Sequence, residues 1–571
     1  MRDQVLGSSK SIMRNMTTAL LVHCPEFPTT GLKQSMFDPS HSLNYDNILT
    51  AQGLRRDSIS RQISTYFIAT AIRKLHPEAV EFIFHGMDEQ FPQMPRLELL
   101  TPQKTMIQQV GAIYHDEGTI DGTYGVHHDI WIQKLGLKEE DEFHHFDERL
   151  WLAFGDQKTA SFIRSLKAEQ STSSRAFDRR NWLLGPNALF HVLQAFLYLI
   201  VRTHFESPPG ARSKSTLLHD IGYWDRHGIT RENAKYHLLE PLVMQGWTAR
   251  VLAIWYDVLH SNDYFQGTRE ENKDRHETYS NAIKKLSIAQ FLQYVEEVRQ
   301  RGFTYNAWSG HQQADKEFVT MCRYLQEIET FMTLRYAIRH GDIGIIRRLI
   351  DPLCVWFYGA EQAKYGLEML YLRWLLSSDV TTTELQRSIL SSGLVNLAGR
   401  PDSFKAIDLA LEHVNCCYAI DIKLHKNSTH DVSKTFGRLA LVSSYVTRLR
   451  AAVETYFGEK TNSKHSQKSA LADIFSLAYH IWAEGYTRPR TIQTERILFE
   501  SLDVLANGIE QLEEKVEAFN ATIVVTDDQI PKILDETEFA NTESDSAADY
   551  INAVDNDFYN EIDPVFSIPV V

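Results

Sequence analysis

The sequence predicts an α+β fold that is mostly α-helical, with a small N-terminal mixed α/β core followed by a large helical region and C-terminal helices. Three observations carry this. Short apolar runs bounded by Pro and Gly recur as far as residue 154, as strands and turns do. From Gln157 onward, apolar residues recur at helical spacing almost without interruption. A chain of 571 residues, 43% of them hydrophobic, is long enough to bury several sizeable cores.

Taken in order, residues 1 to about 50 read as irregular, with a strand-like piece at Ala19 to His23. The first clear helix is Asp57 to Leu75, where Ile59, Ile63, Phe67, Ile68, Ala71 and Ile72 share a face. Pro77 to Phe84 is a second, shorter one. Leu97 to Leu100 and Met106 to Tyr114 read as strands, and the acidic tract HDEGTIDGTYG after them as a turn. Within it Asp121-Gly122 is a hairpin signal. A helix-like piece, His128 to Leu135, an acidic loop and the strand Arg149 to Phe154 complete the mixed part.

Helices are then expected at Gln157 to Ala168, Ala188 to Phe205, Arg231 to Gln245, Thr248 to Leu259, Ser287 to Arg299, Lys316 to Arg339 and Ile343 to Ile350. More follow at Ala360 to Ser377, Thr383 to Ser391, Ser403 to Val414, Val432 to Phe457 and Leu471 to Phe519. The predicted organisation is a mixed α/β core at 1–165, a helical region at 166–340, a second at 341–522 that completes the core, and an acidic, disordered tail at 523–571.

Charge is unevenly placed. From Ile523 to the end there are twelve acids and one lysine, which is −11 of the total −15 and leaves the first 522 residues at about −4. The body is therefore close to neutral and can hold a basic face for DNA, while the tail can recruit a protein partner. The cysteines Cys24, Cys322, Cys354, Cys416 and Cys417 form no CxxC or Cys/His ligand spacing, which argues against a cysteine-built zinc site and suits a reducing intracellular compartment. The N-terminus has no apolar signal core, and the longest apolar run, Phe190 to Val201, is too short to span a bilayer. The expectation is an intracellular protein, nuclear if it acts on DNA, with no membrane partner.

Four carboxylates stand out. Asp156 ends the apolar run LWLAF and opens a helix. It reads as an N-cap or as a strand-end metal ligand of a nucleotidyl-transfer centre, and one residue can be both. Glu368 lies in KYGLEMLYLRWLL, apolar nearly all round and hence buried, so it requires a partner: Lys364, a tyrosine or a metal. Asp342 in RHGDIG is placed to cap the helix after it, with Gly341 closing the one before. Asp121 belongs to the acidic turn with Asp116 and Glu117, which lacks calcium-loop spacing. His191, inside an apolar helix, reads as a satisfied core histidine. HExxH, P-loop, GxSxG and GxGxxG motifs are absent, which excludes zincins, Walker-type ATPases, α/β-hydrolases and simple dinucleotide enzymes as first choices.

The segments GDQKTASFIRSLK (155–167), NALFHVLQAFLYLIVRTHF (187–205), RHGDIG (339–344), KYGLEML (364–370) and LVNLAGRPDSFKAIDLALEHVN (394–415), in this order, resemble a fungal family catalogued as domain of unknown function 6589, abundant in mushroom-forming basidiomycetes. The resemblance runs from about Arg14 to about Gly458. The family's strand-end Asp and long helical stretch are similar to transposases with a ribonuclease-H-like core, in which two strand Asp residues and a helical Glu or Asp bind magnesium. That analogy puts Asp156 and Glu368 in catalytic, Mg2+-binding roles, with Asp342 and Asp121 as additional acids and residues 170 to 355 as an insertion. Relatives of this pattern carry a DNFD-like strand before the segment matching IMRNMTTALL (12–21); here RDQVLG stands there, so the core is expected to be truncated and short of its first Asp. Two functions follow as expectations: a transposon-derived protein cutting and joining DNA with magnesium, or a non-catalytic helical interaction protein whose acidic tail binds a partner.

Overall fold

The structure, a computed structural model, describes residues 2–4, 11–13, 17–28, 30–53, 57–138, 143–205, 215–230, 235–262, 275–303, 315–415, 442, 445, 446, 449, 452, 453, 456, 470–489 and 501–523. Its first part interleaves strands and helices. These are β1 (Arg2–Gln4), β2 (Ser11–Met13), β3 (Thr17–His23), β4 (Leu32–Lys33), α1 (Tyr45–Gly53), α2 (Ser58–Leu75), α3 (Pro77–Phe84), β5 (Met106–Ile113), α4 (Ile120–His128), β6 (Arg149–Leu152), α5 (Gln157–Glu169), α6 (Ala176–Arg179) and β7 (Leu183–Leu184).

The helical part continues with α7 (Leu189–His204), α8 (Leu217–Tyr223), α9 (Tyr236–Ser261), α10 (Arg275–Ile283), α11 (Ile288–Phe303), α12 (Lys316–His340), α13 (Ile343–Gly359), α14 (Ala363–Leu375) and α15 (Thr383–Ser392). A short antiparallel pair, β8 (Leu394–Val395) and β9 (Lys405–Ala406), leads into α16 (407–415). The last helices are α17 (Leu471–Ala483) and α18 (Val504–Ile523). The fold is α+β and mostly helical, as the periodicity predicts, and among the described residues no helix is long and apolar enough to cross a membrane.

The strands form small sheets. β3 and β5 pair antiparallel from Thr17↔Ile113 to His23↔Met106. β6 lies between β4, antiparallel through Leu32↔Leu150, and β7, parallel through Trp151↔Leu183 and Leu152↔Leu184. Two hydrophobic cores result. A compact aromatic one joins Ile113, Trp131, Phe146, Ile163, Phe177 and Trp182 beneath these strands. A far larger one runs through α2, α7, α9 and α11 to α15. Helices there approach closely where side chains are absent: a Cβ on Gly359 of α13 would fall 1.8 Å from the Val504 carbonyl, and one on Gly508 of α18 would fall 2.0 Å from that of Val355.

Several sequence expectations change. Asp121-Gly122 is not a hairpin turn but the first turn of α4, because Thr119 caps that helix and the Asp116 carbonyl packs where a Gly122 Cβ would be, at 1.7 Å. Leu97 to Leu100 is no strand. It touches Asp342 through one isolated bridge and gives its amides to that side chain. The two helices expected at 231–259 are one, α9, since Gly246 is enclosed by Tyr324, Asp220 and Arg250 rather than open to solvent. The helix expected to end at Ile350 runs on to Gly359 through Pro352. The long helix expected over Leu471 to Phe519 stops at Ala483, with Gly485 at φ +74° just after it. α1, within the stretch read as irregular, was missed. Most of the helix expected over Val432 to Phe457, and the tail after Ile523, lie outside the described residues.

Candidate functional site

β6 and β7 run parallel, and each delivers its chain into a helix: β6 into α5 through Gly155-Asp156, β7 into α7 through Asn187. The two exits are held side by side by the bridge Gly155↔Asn187 and by the Ala188 amide donating to the Gly155 carbonyl at 2.9 Å. The carboxyl ends of adjacent parallel strands are where open α/β arrangements bind ligands.

Asp156 sits at this edge, half-buried. One oxygen accepts the Thr159 amide at 2.8 Å and caps α5, as predicted, and the other has no hydrogen-bond partner among the described residues. Three further acids approach it. Glu117 follows β5, in the loop that Asp116 tightens by accepting the Gly118 amide at 2.9 Å. Part of its surface reaches solvent, but its carboxyl is crowded by protein. That crowding first, then the charges of Asp156, Asp116 and Glu412, push its pKa up to about 7 against the weaker pull of Lys158. Asp408 and Glu412 come from α16, one helical turn apart on one face. Burial raises the Glu412 carboxyl, His191 opposes this, and Asp408 and Asp156 add to it.

Asp408 caps α7, accepting the amides of Phe190 at 3.2 Å and His191 at 3.0 Å and meeting the His191 Nδ1 at 2.9 Å. Burial works against the His191 charge, yet the bond to Asp408 and the nearby Asp156 and Glu412 raise its pKa above the ordinary value. His191 is therefore a satisfied histidine, as expected, but one that faces acids.

Glu368 is fully buried, as its sequence context requires, and its partner is neither Lys364 nor a tyrosine. Arg164 of α5 grips both its oxygens, Nη1 at 2.9 Å and Nη2 at the other, and stacks on Tyr371 at 4.7 Å. One helix thus carries Asp156 at its start and, two turns on, the arginine that neutralises Glu368. Both acids also act on the Tyr365 hydroxyl, whose pKa is raised by burial first and then by Asp156, Asp408 and Glu368.

Asp342 is elsewhere and fully engaged. It caps α13 through the Ile345 amide at 3.1 Å, accepts the Leu97 and Glu98 amides at 3.0 Å, and ties the 97–98 segment to the helical body. Asp121 is exposed on α4, and its charge is not among those acting on Glu117, Glu412 or His191.

Sequence reasoning passed over Asp408 and Glu412. Both were findable: AIDLALEHV places acids four apart on an otherwise apolar helix, the same anomaly that exposed Glu368. The donors around Asp156 are hard oxygens, the class magnesium takes, although among the described residues no three His, Cys, Asp or Glu side chains are grouped so as to hold an ion by themselves.

No curated protein and no solved structure matches the chain. A family model described as a family of unknown function (DUF6589) matches residues 44–465, most of the sequence, and the chain belongs to that family.

Proposed function

We propose that the acidic cluster at the ends of β6 and β7 is a divalent-cation centre for phosphodiester cleavage or strand transfer on DNA, in a fungal, transposon-derived protein of ribonuclease-H-like ancestry. The observation that carries this is the charge imbalance around Asp156. Burial first, and then the charges of Asp156 and its acidic neighbours, hold the Glu117 and Glu412 carboxyls above the ordinary range, with Lys158 and His191 as the opposing cations. A surplus of negative charge in a crowded place is what a bound cation relieves. Magnesium commonly uses one or two carboxylates and keeps several waters. Asp156 and Glu117 would hold the ion. When bound, it would supply charge neutralisation for the phosphate and a more acidic water. Glu368 enters this reading through Arg164, fixing the helix that Asp156 begins.

The test is nicking of plasmid DNA with Mg2+ or Mn2+ by the full chain. Asp156→Asn and Glu117→Gln are expected to lower the rate at least 100-fold, and Asp121→Asn to leave it unchanged. Equal rates for Asp156→Asn and the unaltered chain would sink the proposal. A second reading, a non-catalytic interaction protein, draws on Arg164 occupying both oxygens of Glu368. It expects no nicking at all, and loss of partner capture when the acidic residues after Val524 are removed.

A further inference from the structure

We infer that α17 is a pH-released clasp: it stays docked while the imidazoles lining its seat are neutral, and mild acid frees it from the helical body. Histidines reach this interface from several elements. α8 brings His219, α9 brings His260, and His76, between α2 and α3, lies beside His276 of α10. α17 itself carries His480 in its last turn.

Ring contacts join these histidines to the helix. His219 and His480 stack at 5.4 Å, and Tyr223 lies against His480 at 5.0 Å. His260 stacks on Trp482 at 4.4 Å. His76 and His276 stack on each other at 4.8 Å, and both meet Phe475 of α17 in T-shaped contacts, at 5.6 and 4.6 Å. Around these rings α17 buries Ile474, Leu477, Ala478, Ile481 and Trp482.

Such an interface favours neutral imidazole. Two imidazolium rings stacked face to face repel, and a charge held among apolar side chains loses its hydration. Protonation also turns every ring nitrogen into a donor. His76 Nε2 and His219 Nδ1 are buried with no hydrogen-bond partner, so a proton on either would make an N–H with no acceptor. Three acids stand close by, and each is engaged. Asp220 is 3.6 Å from His219 Nδ1, but Arg250 takes both its oxygens. Asp473 of α17 is held by Arg226 at 2.7 Å, and Asp257, three residues before His260, by Arg301 and Arg488. Other neighbours are neutral: Ser280 bonds His76 Nδ1, Tyr279 bonds His260, the Leu75 carbonyl bonds His276, and Tyr256 lies edge-on to His76.

Burial first, then the charge of His276, holds the His76 ring at about 3, against an ordinary 6.5. Phe475 lies against the His76–His276 pair, so departure of α17 opens that pair to water. The released form then binds protons that the docked form refuses. Docking is therefore fully favoured above pH 6.5 and weakens as the pH falls below it. A histidine held neutral in the seat and free to titrate on release shifts the balance about tenfold between pH 7.5 and 5.5.

The test is hydrogen exchange on the full chain at pH 7.5 and 5.5, corrected for the intrinsic pH dependence of exchange. Amides of α17 should lose protection at least tenfold at the lower pH, while those of α12 keep theirs. His76→Gln combined with His219→Gln removes two titrating rings and should abolish most of that loss. His219→Gln alone, at a side chain 20% exposed, should give a smaller loss than the unaltered chain, and it keeps the test decisive if the double variant fails to fold. No loss in α17, equal losses in α17 and α12, or a loss undiminished in the variants would overturn the inference.

Discussion

Two sets of carboxylates in this protein differ in charge balance: those of the helical body are buried and paired, whereas Glu117, Asp156 and Glu412 are partly exposed and crowd one another. In the helical body two fully buried acids each meet a base. Asp220 pairs with Arg250 at 2.7 Å, both within 1% of full burial, and Glu327 pairs with His204 at 3.0 Å. Glu368 is held at the boundary by Arg164. Around Asp156 the acids outnumber the bases, and Glu117 and Glu412 are raised by crowding first and then by their acidic neighbours. Burial alone does not separate a structural acid from a candidate functional one. The absence of local compensation does, because a neutralised pair has nothing left to offer a ligand.

The sharpest way to break the comparison is to unbalance a balanced pair. Arg250→Met leaves Asp220 buried without its base and should cost about 3–5 kcal/mol in urea unfolding. Replacing both, as Arg250→Met with Asp220→Leu, should recover most of that loss, and a double variant as unstable as the single would count against this account.

Arg164→Met should act in the same direction on Glu368, by about 3 kcal/mol, at the low end because the Arg164 side chain is 22% exposed. If Glu368 has no other compensation, adding Glu368→Gln to it should restore part of the stability.

Acid should weaken the fold through its buried neutral histidines. Burial first, then His276, Arg180 and Lys405 respectively, hold His76, His127 and His413 at about 3, well below the ordinary 6.5. The unfolded chain takes up protons that these groups refuse, so their contribution is complete above pH 6.5 and falls steadily as the pH drops toward 3. Each can contribute a slope of up to about 1.4 kcal/mol per pH unit. Chemical denaturation between pH 7 and 5 measures it, and His127→Phe should flatten the slope.

The smallest effect has the opposite sign to the first two. Glu117 sits near 7 when folded, above the ordinary 4.5, so it favours the folded state at low pH and that benefit is lost as the pH rises through 7. Glu117→Gln should therefore stabilise the protein at pH 8, by a few tenths of a kcal/mol after solvent screening, and show no gain below pH 4.5. A destabilised Glu117→Gln would place this carboxylate with the compensated set. Together these variants test whether removing a charge harms one region and helps the other.

Much of this was readable along the chain because it is local. Asp57, Asp156 and Asp342 announce helix starts by their position before apolar periods, and each caps its helix. Glu368 announces burial because its helix has no polar face. Misreadings came where tertiary contact overruled a local signal. Asp121-Gly122 is a turn pair by composition, but the Asp116 carbonyl needs a glycine inside a helix there. Gly246 reads as a break, but α8 and α12 pack against it.

By itself the sequence determined most of the helical segments, where many of them begin, that the acids at 156 and 368 are unusual, and which family the chain belongs to. Only the tertiary structure decided that Arg164 answers Glu368 across 204 positions, that Asp408 reaches back 217 to cap α7 at His191, and that Glu117, Asp156 and Glu412 share one patch. The reason is range. Periodicity and capping act within one or two helical turns, whereas the balance of charge at a point depends on which distant segments the fold returns to it.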